Sequence, residues 1–356
     1  MPKPTASARP PLNAITDVPG IKVGHWTDRR RATGCTVVRV DGGAAAGYTN
    51  PGGAPGTIDT DLLRPENSIP SVHAVLLTGG SAYGLEAASG VRQQLRDDGI
   101  GFRFGADTPL IPIVSGAVVY DLGLGSGRAH PGVDQGRLAA RRAKTGKVDQ
   151  GSVGAGTGCT VAKLAGPEHK LKSGIGTASI RHESGLVVGA LVAVNAVGDV
   201  FDPDNGDLLA GPRGKRRGQM RRGADLLIER TLADYLEEGE RLRADAETET
   251  AELQNTTIGV VATNAKLSKA QAMRLAIMAA DGLSSAIRPA HTPADGDTIF
   301  ALATAQFDLE IESHPSLITL LGAMGARAVG QAIVNGVHAA EGLAGVPSPR
   351  EWRRRR

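Results

Sequence analysis

The chain has 356 residues, 41% of them hydrophobic, 3% aromatic and 22% charged, which supplies apolar material for a large core and excludes global disorder. The 48 Gly follow no triplet period, which excludes collagen. The formal charge of +3 resides in the terminal run REWRRRR (350–356), without which 35 basic residues face 36 acidic ones; a neutral body with so few rings to stack on bases argues against a nucleic-acid partner.

Two cysteines, Cys35 and Cys159, cannot build a disulfide framework and point to a reducing, cytoplasmic setting. No unbroken apolar run approaches ~18 residues, so no membrane span is expected. The opening MPKPTASARPPLNA lacks the apolar centre of a signal peptide.

In chain order, residues 1–13 read as a loose Pro-rich arm. Short β-branched runs then alternate with Gly turns: TVVRV (36–40), HAVLLT (73–78), LVVGALVAV (186–194), IGVVAT (258–263) and IFALAT (299–304). These are expected strands, and several lack polar alternation, as strands covered on both faces do. Helical spacing marks 83–99, ending at Gly99. Ser268 and Gln271 have the spacing of a capping box and start a helix there. A long Ala/Gly/Leu helical stretch runs from Pro315 to Leu343. The order implies a layered α/β fold without internal repeats.

One segment breaks this pattern. Residues 212–222 hold six basic residues and 225–252 hold ten acidic ones. With one helix at 223–243, the stretch 212–255 reads as an exposed linker. It runs straight into Asn255-Thr256-Thr257 and an apolar strand.

Common catalytic motifs fail on spacing. GAGTGC (154–159) lacks the third Gly of a dinucleotide loop, Gly146-Lys147 is followed by Val148, His182-Glu183 is not followed by a second spaced His, and GGSAYG (79–84) is not a nucleophile elbow. Two Cys and scattered His give no metal site, so neither metal nor cofactor is expected. A Thr hydroxyl needs a base. Cutting the bond before Thr256 would create one, because a free α-amine has an unperturbed pKa near ~7.7–8.0. By spacing alone, the pair Thr256-Thr257 reads as readily as an ordinary strand entrance.

Several blocks in order resemble one family: ITDVPGIKVGH (15–25), LTGGSAYGLEAASGV (77–91), SGAVVYDL (115–122), GSVGAGTGCTVAK (151–163), VAVNAVGD (192–199), NTTIGVVATNAKLS (255–268) and HTPADGDTIFALAT (291–304). The family is that of L-aminopeptidase/D-esterases, β-peptidyl aminopeptidases and nylon-oligomer (6-aminohexanoate-oligomer) endohydrolases, and the match spans about residue 14 to residue 343. The resemblance implies an αββα-like sandwich of the aminopeptidase/ornithine-acetyltransferase type. It implies self-cleavage between Asn255 and Thr256 into a large chain (14–255) and a small chain (256–356, with 345–356 a solvated basic tail), and assembly as a homo-oligomer, by resemblance a tetramer.

Residue by residue, Thr256 resembles the nucleophile, and Thr in place of Ser leans toward the nylon-oligomer branch. Tyr120 and Lys163 occupy active-site positions of the family. Asn195 would donate to an oxyanion. Asp295 and Asp297 match the paired carboxylates of the nylon branch. They would orient Thr256 or share a proton, provided Gly296 permits the turn. The implied activity is hydrolysis of amide bonds in peptides, β-peptides or oligoamides through an acyl-enzyme. The alternatives are acyl transfer of the ornithine-acetyltransferase kind, or a non-catalytic scaffold.

Overall fold

The computed structural model describes residues 12–245, 255–310 and 315–354. Its principal elements are β1 (Ile21–Asp28), β2 (Thr33–Thr49), β3 (Val72–Thr78), α1 (Ala87–Asp97), β4 (Val114–Val118), α2 (Val133–Arg141), β5 (Ile175–Arg181), β6 (Val187–Asn195), α3 (Gly223–Ile228), α4 (Leu232–Asp245), β7 (Thr256–Lys266), α5 (Lys269–Ala286), β8 (Thr298–Glu310), α6 (Pro315–His338) and α7 (Pro349–Arg353).

β2 belongs to two sheets. Its first half pairs with β1 and β3, the register shifts between Arg39 and Ala44, and its second half, Ala45–Thr49, pairs with β8. Hydrogen bonding therefore runs without a break through Thr57–Ile58, β4, β3, β2, β8, β7, β6 and β5. The two halves fold face to face over one core, in which Val38, Val75 and Leu77 meet Leu191, Ile258, Val260, Phe300 and Leu302.

Residues of the opposite parity explain why these strands are apolar throughout. Cys35, Val37, Ala74 and Leu76 turn outward to α1 and α2. Val188, Val192, Val261, Ile299 and Ala301 turn outward to α5 and α6. Both faces of each sheet are covered, giving the four-layer αββα arrangement that the sequence implies. The expected capping box is present: Gln271 Oε1 accepts from Ser268 N–H at 2.8 Å, and Ser268 Oγ accepts from Gln271 N–H at 3.3 Å.

Several expectations need correction. The helix expected at 83–99 opens with a 3-10 segment, Ser81–Glu86, before α1. The single helix at 223–243 is two, α3 and α4, because Thr231 and Asp234 exchange hydrogen bonds that start a new helix. Within these two helices and at their junction Ile228, Leu232 and Leu236 are exposed, as a tether's would be, whereas Pro212 at the start of the expected linker is buried. Residues 213–220 form a hairpin that the C-terminus clamps. The REWRRRR run is no solvated tail as far as Arg354. Ser348 caps α7, Trp352 Nε1 donates to the Gln219 carbonyl at 2.7 Å, and Arg353 donates to the Leu209 carbonyl at 3.0 Å. Charge alone hid the capping spacing Ser348/Glu351 and the anchoring Trp. The arm 1–11, the tether end 246–254 and the last residues 355–356 lie outside the described residues.

By length and composition alone, Ser316–His338 would suffice to cross a membrane, although no unbroken apolar run signals it. Half of it is buried against α5, β5 and β6, so it serves as a core helix.

The inter-sheet core depends on Phe300, which is fully buried. Phe300→Ala should lower unfolding stability by about 3–5 kcal/mol, read as a shift in denaturant midpoint with unchanged slope.

Candidate active site

Three strand ends converge at one edge of the second sheet. Thr256 opens β7 directly opposite Asn195, the last residue of the antiparallel β6. On the other flank β8 runs parallel to β7, and its approach, Asp295–Asp297, lies beside Asn255 through a parallel bridge. Asn195, Asn255, Thr256, Thr257, Asp295 and Asp297 are all buried. At 6% exposure, Thr256 is shielded while the chain is intact.

The Thr256 hydroxyl donates to the carbonyl oxygen of Asn255, the group it would attack, and the N–H of Gly296 donates to the same oxygen at 2.9 Å. Asp297 is fully engaged. Its Oδ1 accepts from Thr257 N–H at 2.7 Å, and its Oδ2 from His291 N–H at 3.1 Å, with His291 Nδ1 at 2.9 Å. The other His291 ring nitrogen meets Ser284 Oγ at 3.0 Å. Asp295 Oδ2 accepts from the Thr292 amide at 2.9 Å and the Thr292 hydroxyl at 2.6 Å. Its Oδ1 is buried without a partner, as are Asn255 Oδ1 and Thr257 Oγ1. Burial, and secondly the Asp297 charge, push the Asp295 carboxyl above its ordinary range, with Thr292 and Lys163 acting in the opposite direction.

Asn195 is held from several sides. Its Oδ1 accepts from Thr160 N–H at 2.9 Å and from Lys163 Nζ at 3.1 Å, and Lys163 also reaches its main-chain carbonyl at 3.1 Å. The Nδ2 donates to the Tyr120 carbonyl at 3.0 Å. Because Tyr120 follows β4 of the first sheet, this bond ties the two sheets together at the site. The structure thus gathers Thr256, Asn195, Lys163, Asp295 and Asp297 through side chains, whereas Tyr120 joins through its backbone.

Sequence reasoning passed over the surrounding shell. His291, Thr292 and Ser284 anchor the two carboxylates, and T-x-x-D (292–295) is a capping spacing that could have flagged the first. Asn50–Ala54 cradles the Asp295–Asp297 turn, with Ala54 N–H donating to the Asp295 carbonyl at 2.8 Å. A Cβ on Gly52 would lie 2.3 Å from that same carbonyl oxygen, so only glycine fits there. Lys172 is fully buried and donates to the carbonyls of Gly156 (3.0 Å), Cys159 (2.9 Å) and Ser173, which fixes the loop that delivers Thr160 to Asn195. Burial brings its ammonium down to about 8. No group of three or more potential metal ligands occurs among the described residues.

The geometry is that of a hydroxyl resting on its own preceding carbonyl. Residues 13–349 match the profile of Peptidase family S58. An uncharacterized aminopeptidase of Mycobacterium leprae is 41% identical over 95% of this chain and 93% of its own length. A 6-aminohexanoate-oligomer endohydrolase of Kocuria sp. is 31% identical over 82% of this chain and 75% of its own. Among solved structures, the L-aminopeptidase D-Ala-esterase/amidase of Ochrobactrum anthropi, described as a variant of the Ntn hydrolase fold, superposes with a TM-score of 0.65 at 21% identity, covering 97% of this chain and 91% of that one. A Burkholderia sp. β-aminopeptidase gives 0.64 at 23% identity, covering 96% and 92%. The chain therefore has the Ntn hydrolase fold and belongs to Peptidase family S58, as a hydrolase of amide bonds.

Proposed function

We propose that the chain cleaves itself between Asn255 and Thr256, and that the freed Thr256 then hydrolyses peptides, β-peptides or oligoamides as an N-terminal nucleophile. The observation that carries this reading is the hydrogen bond from the Thr256 hydroxyl to the Asn255 carbonyl inside a buried polar shell. That contact places the hydroxyl against the carbonyl group it would attack.

In the processed enzyme the α-amine of Thr256 takes the hydroxyl proton as the substrate carbonyl is attacked. Its ordinary pKa near ~7.7–8.0 suits that task at neutral pH. Asn195 serves the developing oxyanion, and the Lys163 ammonium on its Oδ1 polarises the carboxamide so that Nδ2 donates more strongly. The Tyr120 hydroxyl is assigned to the same oxyanion, which requires its side chain to reach over the backbone contact described above. Asp297 fixes the strand through Thr257 N–H, and Asp295 holds an unpartnered oxygen ready for the new ammonium. Amides of small peptides fit the aminopeptidase relatives, and oligoamides fit the endohydrolase relatives named above.

Three outcomes follow. Purified wild-type protein should separate under denaturing conditions into two chains, the smaller beginning at Thr256 by N-terminal sequencing, while Thr256→Ala stays whole. Asp295→Asn and Asp297→Asn should each slow processing and amide turnover together by roughly a hundredfold, since losing an orienting buried charge costs a few kcal/mol and ~1.4 kcal/mol is tenfold. A surface turn would move neither rate.

The third outcome concerns pH. Burial also raises Asp121 to about 6 and Asp199 to about 7. Between the ordinary carboxylate range and these raised values the folded chain keeps protons that the unfolded chain has lost. Their share of the stability of the uncleavable Thr256→Ala chain should therefore decline as pH rises from about 4 to 7, against an opposite contribution from His25, whose burial brings its ring down to about 4. Asp199→Asn should flatten the upper part of the decline, measured by denaturant unfolding at each pH.

A further inference from the structure

The N–H of Gly296 ends on the oxygen of the bond to be cut, at 2.9 Å from the Asn255 carbonyl. Gly296 lies between the two carboxylates, and its turn is held from behind by Ala54 N–H on the Asp295 carbonyl. A Cβ at position 296 would stand 2.6 Å from the Ala54 carbonyl oxygen, 2.9 Å from Thr256 Oγ1 and 3.3 Å from Thr256 Cγ2. Distances under 3.0 Å leave no room for a side chain. The nucleophile and this backbone amide approach one carbonyl from a space that glycine alone leaves open. The Asn195 amide donates to the Tyr120 carbonyl at 3.0 Å.

We propose that Gly296 is a catalytic residue of self-cleavage: its backbone N–H is the oxyanion donor for the Asn255–Thr256 bond, and its missing side chain is what admits the Thr256 hydroxyl. This rests on the self-cleavage reading above and assigns a group to it. Thr256 Oγ1 bonds to the Asn255 carbonyl carbon, the C=O π pair moves onto the oxygen, and Gly296 N–H carries the charge there. Collapse breaks the C–N bond. The departing Thr256 nitrogen takes the proton that Oγ1 gave up, leaving Asn255 esterified to the Thr256 side chain. Water opens the ester to a carboxylic acid on Asn255 and the free hydroxyl.

The donor has a fixed position before any charge develops, which is where preorganised hydrogen bonds contribute most to rate. Oxyanion donors of this kind are worth about 10²–10³ in rate. The step therefore has its own donor, separate from the Asn195 carboxamide assigned to turnover.

The test follows the conversion of full-length chain into two bands over time, for the parent and for two variants. Glycolic acid in place of Gly296, giving a backbone ester, removes the N–H without adding a Cβ; cleavage should slow about a hundredfold while the circular dichroism spectrum stays native. Gly296→Ala keeps the N–H and adds the Cβ, and it should also slow cleavage strongly. Independently, isotope-labelled Thr256→Ala chain should show scalar coupling across the hydrogen bond between Gly296 nitrogen and the Asn255 carbonyl carbon, which stays informative even where the ester variant does not fold. An ester variant that cleaves at the parent rate, or no coupling, overturns the donor assignment and leaves self-cleavage standing. Parent-like cleavage of Gly296→Ala overturns the steric part. A folded parent that never cleaves overturns both readings together.

Discussion

The antiparallel register that sets Thr256 opposite Asn195 governs the rest of the site, because a strand's side chains alternate faces. A slip of one residue would move Ile258, Val260 and Ala262 out of the inter-sheet core and onto the helical face, and bring Val261 inward. Each fully buried Val or Ile side chain is worth roughly 1.5–3 kcal/mol, so a slipped strand would lose far more than a small domain can spare. The position of Thr256 is thus set by apolar packing along the whole of β7, not by the polar groups around it. The same register aligns β8 on the opposite flank and brings Asp295 beside Asn255.

Against that rigid frame, the polar groups at the strand ends are incompletely satisfied. Asn255 Oδ1, Thr257 Oγ1 and Asp295 Oδ1 are buried without partners, and Asp295 has its proton affinity raised by burial and by Asp297. Unpaired buried polar atoms each cost about 1–3 kcal/mol. Concentrated around the Asn255–Thr256 bond, they raise the energy of the intact state at one location while the apolar layers hold the geometry. A freed ammonium and carboxylate at residues 255 and 256 would offer these atoms charged partners.

Much of this was legible in the chain. The five apolar runs became strands, because uniform Val, Leu, Ile and Ala in short segments fits sheets covered on both sides. Ser268 and Gln271 located a helix start to the residue. The main site residues were legible only through ordered blocks of resemblance, since Asn195, Lys163 and Asp295 come together from separated segments and no local spacing encodes that meeting. What stayed hidden has physical reasons. His291 and Thr292 act on Asp297 and Asp295 through a turn whose shape depends on Gly52 and Ala54, more than two hundred residues earlier. Lys172 looked like any lysine, because burial with three carbonyl acceptors leaves no pattern in sequence. The terminal arginines misled for the opposite reason: their charge was conspicuous, and the carbonyls that hold them down, Leu209 for Arg353 and Gln219 for the neighbouring Trp352, were not.

Where the strands that follow residue 255 lie in the sheet has one further consequence. β7 is bonded to β6, and β8 to β2, so two strands from after residue 255 are enclosed on both sides by strands from before it. At the far end, Trp352 of α7 fastens to the 213–220 hairpin and Arg353 to the strand Leu208–Ala210. A break at 255–256 would leave this architecture in place, yet it would turn one molecule into two interleaved ones. From then on denaturation becomes a dissociation, its midpoint moves with protein concentration, and regaining the fold requires an encounter between separate polypeptides that the single chain never had to make.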